Sequence, residues 1–189
     1  INSNQKENEI LGLLNLVRKM DPKVILEIGT QRGGTLFLFS QVSNLTTKLI
    51  SIDYQYPSRE YRQSLSKLAK RGQKLVSIQA DSHSESTLQQ VKKLIEQKGI
   101  DFLFIDGDHS YEGVKKDFEM YSPLVRSGGL IAFHDINPDS FIRTGVKSSS
   151  YVGGVPFFWQ EVKIRYPGSL EFIQDECQDG FGIGVLFVP

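Results

Sequence analysis

Five short apolar runs, Val24–Ile28, Leu49–Ile52, Leu75–Ile78, Phe102–Ile105 and Leu130–Phe133, recur along the chain with helical stretches between them. This alternation constrains the fold more than any other feature. A strand that is apolar at every position is covered on both faces, and strands separated by helices of about 10–15 residues build a parallel sheet from βαβ units. The helical stretches carry apolar residues at helical spacing. Ile10, Leu13, Leu14 and Val17 mark the first, which ends before Asp21-Pro22. The second follows a glycine-rich turn and runs to about Val42. Tyr61, Leu65, Leu68 and Ala69 mark the third, and Leu88, Val91, Leu94 and Ile95 the fourth, with Ser86 and Gln89 at capping-box spacing. Val114, Phe118 and Tyr121 mark the fifth.

The end of the chain reads differently. After a helix near Pro156–Arg165, Leu170–Ile173 and Ile183–Val188 form strands joined by the polar loop Gln174–Gly180, the pattern of an antiparallel pair. The expected fold is a single Rossmann-like three-layer α/β domain, residues 1–189, with an N-terminal helical segment at 1–22 and the core at 23–189.

Charge narrows the partners. The chain balances 22 basic against 22 acidic residues, which disfavours polyanion binding, so no nucleic acid is expected. No run approaches the roughly 18 apolar residues of a membrane span, so no membrane partner is expected either. The single cysteine, Cys177, cannot form an internal disulfide and suits a reducing, cytoplasmic setting. The chain begins at Ile1 rather than Met, which leaves an upstream segment open, and residues 1–8 show no signal-peptide core.

Three strand endings carry polar groups, and in an open α/β sheet ligands bind at the carboxyl ends of the strands. The first is Glu27-Ile28-Gly29-Thr30-Gln31-Arg32-Gly33-Gly34. Its glycines permit positive φ, and the helix that follows offers free N–H groups to an anion, while Glu27 could accept from a ligand ammonium. Gln31 departs from the dinucleotide Gly-x-Gly-x-x-Gly pattern. Asp53 ends the second strand where an acid can accept from ribose hydroxyls, or it simply caps a turn. Tyr54 could lie against an adenine ring, and Asp81-Ser82 follows the third strand as an adenine site or a cap.

Asp106, Asp108 and His109 follow the fourth strand, and His134 and Asp135 follow the fifth. Such a set can hold a divalent cation or deprotonate a hydroxyl. Alternatively, Asp108 and Ser110 cap a helix and His134 packs locally. His83, standing apart, reads as a surface or capping residue. The segment 136–156 has the length of a substrate lid, with Phe158 and Trp159 beneath it.

These motifs, above all Phe104-Ile-Asp-Gly-Asp-His-Ser-Tyr-Glu-Gly-Val and Tyr121-Ser-Pro-Leu-Val-Arg-Ser-Gly-Gly-Leu-Ile-Ala-Phe-His-Asp, resemble those of class I S-adenosylmethionine-dependent methyltransferases. The nearest branch is that of small bacterial O-methyltransferases and cephalosporin-hydroxylase-like proteins. The resemblance implies a seven-stranded, mostly parallel sheet with an antiparallel last strand. It places Glu27 and Gly29 near the methionine part of the cofactor, Asp53 at the ribose, and Asp81 with Ser82 near adenine, and Thr30, Gly33 and Tyr54 join them as candidate cofactor-binding residues. Asp106 would lie at the cofactor and, with His134 and Asp135, hold Mg. His134 departs from the usual carboxylate or amide and shifts the expectation toward Mn, Fe or Zn. His109 and His134 are the candidate catalytic bases, and the partner is a small hydroxyl-bearing methyl acceptor. Oligomeric state is open, a homo-oligomer included. The rivals are a nucleotide-dependent oxidoreductase, an iron oxygenase using His109, His134 and a carboxylate, and a non-catalytic cofactor-binding domain.

Overall fold

The computed structural model describes residues 4–189. Seven strands form one sheet: β1 (Val24–Ile28), β2 (Lys48–Asp53), β3 (Lys74–Gln79), β4 (Ile100–Ile105), β5 (Val125–His134), β6 (Leu170–Phe172) and β7 (Ile183–Phe187). Their order is β3-β2-β1-β4-β5-β7-β6. The first five pair in parallel, and β7 runs antiparallel to both β5 and β6. The expected architecture is the one observed.

Alternate residues of each strand feed two cores. Leu26 and Ile28 of β1 face α4 (Glu85–Ile95), α5 (Tyr111–Tyr121) and α7 (Val155–Arg165), whose Val91, Phe118 and Trp159 fill that layer. Ile25 faces the opposite side with α1 (Glu7–Met20) and α2 (Gly34–Val42), where Phe39 meets Phe102 edge-on at 5.0 Å. Helix α1 buries Ile10, Leu13, Leu14 and Val17, then stops where Asp21 turns to φ 51° and Pro22 follows. Its Glu9 is also buried, accepting from the backbone of Gln174 and Gly182 and from the Gln178 side chain.

Several boundaries differ from the sequence reading. The third helical stretch divides into α3 (Arg59–Ser64) and a 3-10 turn (Leu65–Leu68). Helix α4 is capped by Ser84, whose hydroxyl accepts from Thr87 N, rather than by Ser86 with Gln89. Strand β5 begins at Val125, five residues before the apolar run, through the exposed Arg126–Gly128 segment. The segment 136–156 holds a short helix, α6 (Ser140–Thr144). Among the described residues, no helix is long and apolar enough to cross a membrane.

Candidate active site

A cavity of about 590 Å³ opens along the carboxyl ends of β1 to β5. The strand order explains it: β1 and β4 are neighbours, and the chain leaves them to opposite sides, so their turns part above the sheet. Gly29 makes the parting fit. It sits at φ 86°, and a Cβ there would stand 1.9 Å from the Asp106 carbonyl oxygen.

The cavity wall brings together Gly29, Asp53, Tyr54, Asp81, Ser82, Asp106, His109, His134 and Asp135 of the expected site. Asp53 accepts from Gln31 N at 2.6 Å and Gln55 N at 2.9 Å. A carboxylate has about four lone-pair sites, so two stay free for ligand hydroxyls. Tyr54 is 77% exposed at the rim.

Glu27, Thr30 and Gly33 stand behind this wall. Gly33 is the left-handed N-cap of α2, with Leu65 and Leu68 against its Cα. The Thr30 hydroxyl lies 2.6 Å from that of Ser51, which in turn meets the Tyr56 hydroxyl. Glu27 is fully buried, and its Oε2 has no hydrogen-bond partner. Burial, helped by the charges of Asp106 and Asp53 and opposed by a Thr30 hydrogen bond, pushes this carboxyl up to about 8.

At the other end of the cavity, four ionisable groups converge. His134 Nδ1 lies 3.1 Å from Asp106 Oδ1 and 3.4 Å from Asp135 Oδ2, and His109 Nε2 lies 3.4 Å from the same Asp106 oxygen. The Tyr151 carbonyl accepts from His109 Nδ1 at 2.8 Å and fixes that ring. Asp135 takes a left-handed conformation at φ 61°, the kind of backbone strain that clusters at functional sites. Burial opposes charge at Asp106, His134 and His109, yet pairing wins at all three. His134 and His109 hold Asp106 down at about 2, while the Asp106 and Asp135 carboxylates hold His134 up at about 10 and His109 up at about 9.

Asp106, His134 and Asp135 each offer a ligand atom, all within 4.8 Å of one another. An ion at 2.0–2.2 Å from N and O ligands, roughly the usual range, spans such a set. His134 Nε2, buried without a partner, leaves Nδ1 as the nitrogen that faces the carboxylates. Asp108 plays the local role as well: it accepts from Ser110 N, and Ser110 accepts from Gly113 N at the start of α5.

A family model described as a methyltransferase domain matches residues 26–136, more than half of the chain, including every strand ending described above. The chain belongs to this methyltransferase family. Protein R132 of Acanthamoeba polyphaga mimivirus is 35% identical over 127 residues, 66% of this chain and 56% of that protein. The rhamnosyl O-methyltransferase of Mycobacterium tuberculosis is 21% identical over 141 residues, 72% of this chain and 55% of that enzyme. The methyltransferase domain therefore spans about half the length of these curated relatives. Among solved structures, an O-methyltransferase from Bacillus cereus in complex with SAH shares the fold at TM-score 0.68 and 18% identity, over 97% of this chain and 82% of that one. TomG of Streptomyces achromogenes, an O-methyltransferase in complex with SAM, shares it at TM-score 0.65 and 17% identity, over 97% and 81%.

The methyltransferase domain also holds site residues that sequence reading passed over. His83, read as a surface or capping residue, is partly buried in the turn before α4 and lines the cavity, with Nε2 at 3.3 Å from the fully buried Asp117. Gln5 reaches Asp106 Oδ2 from the N-terminal arm at 3.4 Å. Arg143, in the segment read as a lid, instead donates to the carbonyls of Glu176, Cys177 and Gln178 and ties that segment to the β6–β7 loop. Only the spacing from the third strand ending could have flagged His83, since its partner lies far away in sequence.

Proposed function

We propose that this methyltransferase domain moves the methyl group of S-adenosylmethionine to a hydroxyl oxygen of a small molecule, with a divalent cation held by Asp106, His134 and Asp135. The observation that carries the reading is the convergence of two carboxylates and two imidazoles at one end of the cavity, with Asp53 and Asp81 lining its other walls. The SAH and SAM of the structural neighbours and the O-methyltransferase names of the relatives agree with it.

In the reaction, the acceptor oxygen attacks the methyl carbon in line with the sulfur. A C–O bond forms as the C–S bond breaks, S-adenosylhomocysteine leaves, and the hydroxyl proton passes to the protein. The residues supply alignment and proton handling, effects worth several powers of ten in rate. A cation held by Asp106, His134 and Asp135 would supply positive charge that favours loss of the hydroxyl proton. Its ligand choice, one imidazole with two carboxylates, suits Mn, Fe or Zn as well as Mg. His109, anchored through Nδ1 by the Tyr151 carbonyl, keeps Nε2 toward the cluster and is the group placed to carry the proton away. With its titration held near 9, it is an imidazolium at neutral pH, so it must release its own proton to solvent before it can take the acceptor's.

The acceptor class is a small molecule, and a sugar hydroxyl is the form suggested by the rhamnosyl relative. The location proposed with this reading is cytoplasmic, a reducing setting that the single exposed cysteine suits. Gln31, at φ 48° in the turn, speaks against a pyrophosphate and hence against a nicotinamide enzyme. The test is methyl transfer from methyl-labelled S-adenosylmethionine to a panel of sugars, phenols and aliphatic alcohols, with Mg or Mn and with chelator. Transfer that requires cation and disappears in Asp135→Ala is expected. Turnover unchanged by chelator and by Asp135→Ala would overturn the cation assignment. Label delivered only to nitrogen or carbon acceptors would overturn hydroxyl chemistry.

A further inference from the structure

Helix α5 presents Gly113, Asp117 and Tyr121 at four-residue spacing, and all three reach the turn Asp81-Ser82-His83 that ends β3 at the cavity. The Tyr121 hydroxyl donates to the Ser82 carbonyl at 2.7 Å. His83 Nε2 lies 3.1 Å from the Gly113 carbonyl and 3.3 Å from Asp117 Oδ1. The turn is also closed on itself, because Asp81 Oδ1 accepts from His83 N at 2.8 Å.

Asp117 is the unusual member. It has no exposed surface, and neither carboxylate oxygen makes a well-formed hydrogen bond. Burying such a group is expensive, and helix packing alone would be served by an apolar residue of similar size. Its location suggests what it does instead. One oxygen faces His83, and the other comes within 3.4 Å of where a Cβ on Gly107 would stand, beneath the turn after β4. Asp117 thus lies under the β3 and β4 turns at once, and both line the cavity.

We propose that the buried Asp117–His83 couple positions the Asp81-Ser82-His83 turn to read the base of the nucleoside cofactor, and so sets its selectivity for adenine. The proposal rests on the S-adenosylmethionine reading above. The couple acts through the turn: His83 holds the backbone that carries Asp81, an acceptor for an exocyclic amino group, and Asp117 holds His83. Burial pushes the Asp117 carboxyl up to about 6, and the charge of His83 pulls the other way.

Calorimetric titration with two probes tests it: S-adenosylhomocysteine, and its inosine counterpart in which oxygen replaces the adenine amino group. Wild type is expected to prefer the adenine form by about tenfold or more, the scale of one lost hydrogen bond to a charged group. His83→Ala and Asp117→Asn should reduce that preference to within about threefold by weakening the adenine form alone, the signature of coupling in a double-mutant cycle. His83→Gln, which keeps a side-chain donor for the Gly113 carbonyl, should recover part of the preference. Equal weakening of both probes, or an unchanged preference in folded His83→Ala, would overturn the proposal. So would a wild type that binds both probes alike. Should folded wild type bind neither, the cofactor reading itself fails, a distinct result.

Discussion

Glu27 offers a test in which structure and sign are both explicit. Its carboxyl is fully buried behind the glycine turn, with one oxygen unpartnered, and its titration moves from an ordinary 4.5 to about 8. A group whose folded value is raised contributes stability that is fully present below its unfolded value and is lost as pH rises through the folded one. For Glu27 the loss begins near pH 4.5 and levels off above about 8. At 1.36 kcal/mol for each decade, keeping it protonated in the folded protein while the unfolded chain ionises costs roughly 3 kcal/mol by pH 7. Glu27→Gln is neutral at every pH, so its own packing cost is constant. The difference in unfolding free energy between variant and wild type should therefore shift by about 3 kcal/mol in favour of the variant between pH 4.5 and 7. Urea unfolding at a series of pH values measures this, since every other titrating group is common to both proteins. Parallel stability profiles across that range would refute the reasoning.

Two further substitutions probe what holds β1 against β4 at its two ends. Asp101 is buried and accepts from Lys23 N and Val24 N at 2.7 Å each, with Arg126 on its second oxygen. Asp101→Ala leaves those donors unpaired and should cost about 2–4 kcal/mol in urea unfolding, and a loss below about 0.5 kcal/mol would contradict the role. Gly29→Ala drives a Cβ into the Asp106 carbonyl at a positive φ, so it should lower stability by roughly 3 kcal/mol or more. A variant that melts with wild type would show that the β1 and β4 turns part more freely than described.

The sheet was legible because short, mostly apolar runs alternate with helical stretches, the pattern of a parallel sheet covered on both faces. The strand-end residues were legible for the same reason, since parallel pairing gathers the carboxyl ends of β1 to β5 on one edge. Failures occurred where a local signal was ambiguous or a partner was remote. Serines stand at 82, 84 and 86, and only the Asp81 turn decides that Ser84 caps α4. Arg126–Gly128 near the start of β5 are exposed, so pairing of Val125 with Ile100 of the neighbouring strand, not hydropathy, brings them into the strand. Glu27 and Thr30 carry the composition of a ligand site but fold beneath the wall rather than into it. His83 read as peripheral because its meaning lies in Asp117, brought to it by the packing of α5.

The central claim is a nucleoside cofactor pocket at the ends of β1 to β4, and titration of S-adenosylhomocysteine into wild type and Asp53→Ala tests it most directly. The account predicts saturable one-site binding in wild type and at least a tenfold loss in the variant, about 1.4 kcal/mol for ribose hydroxyls left without their acceptor. Correctly folded wild type that takes up no S-adenosylhomocysteine would contradict it.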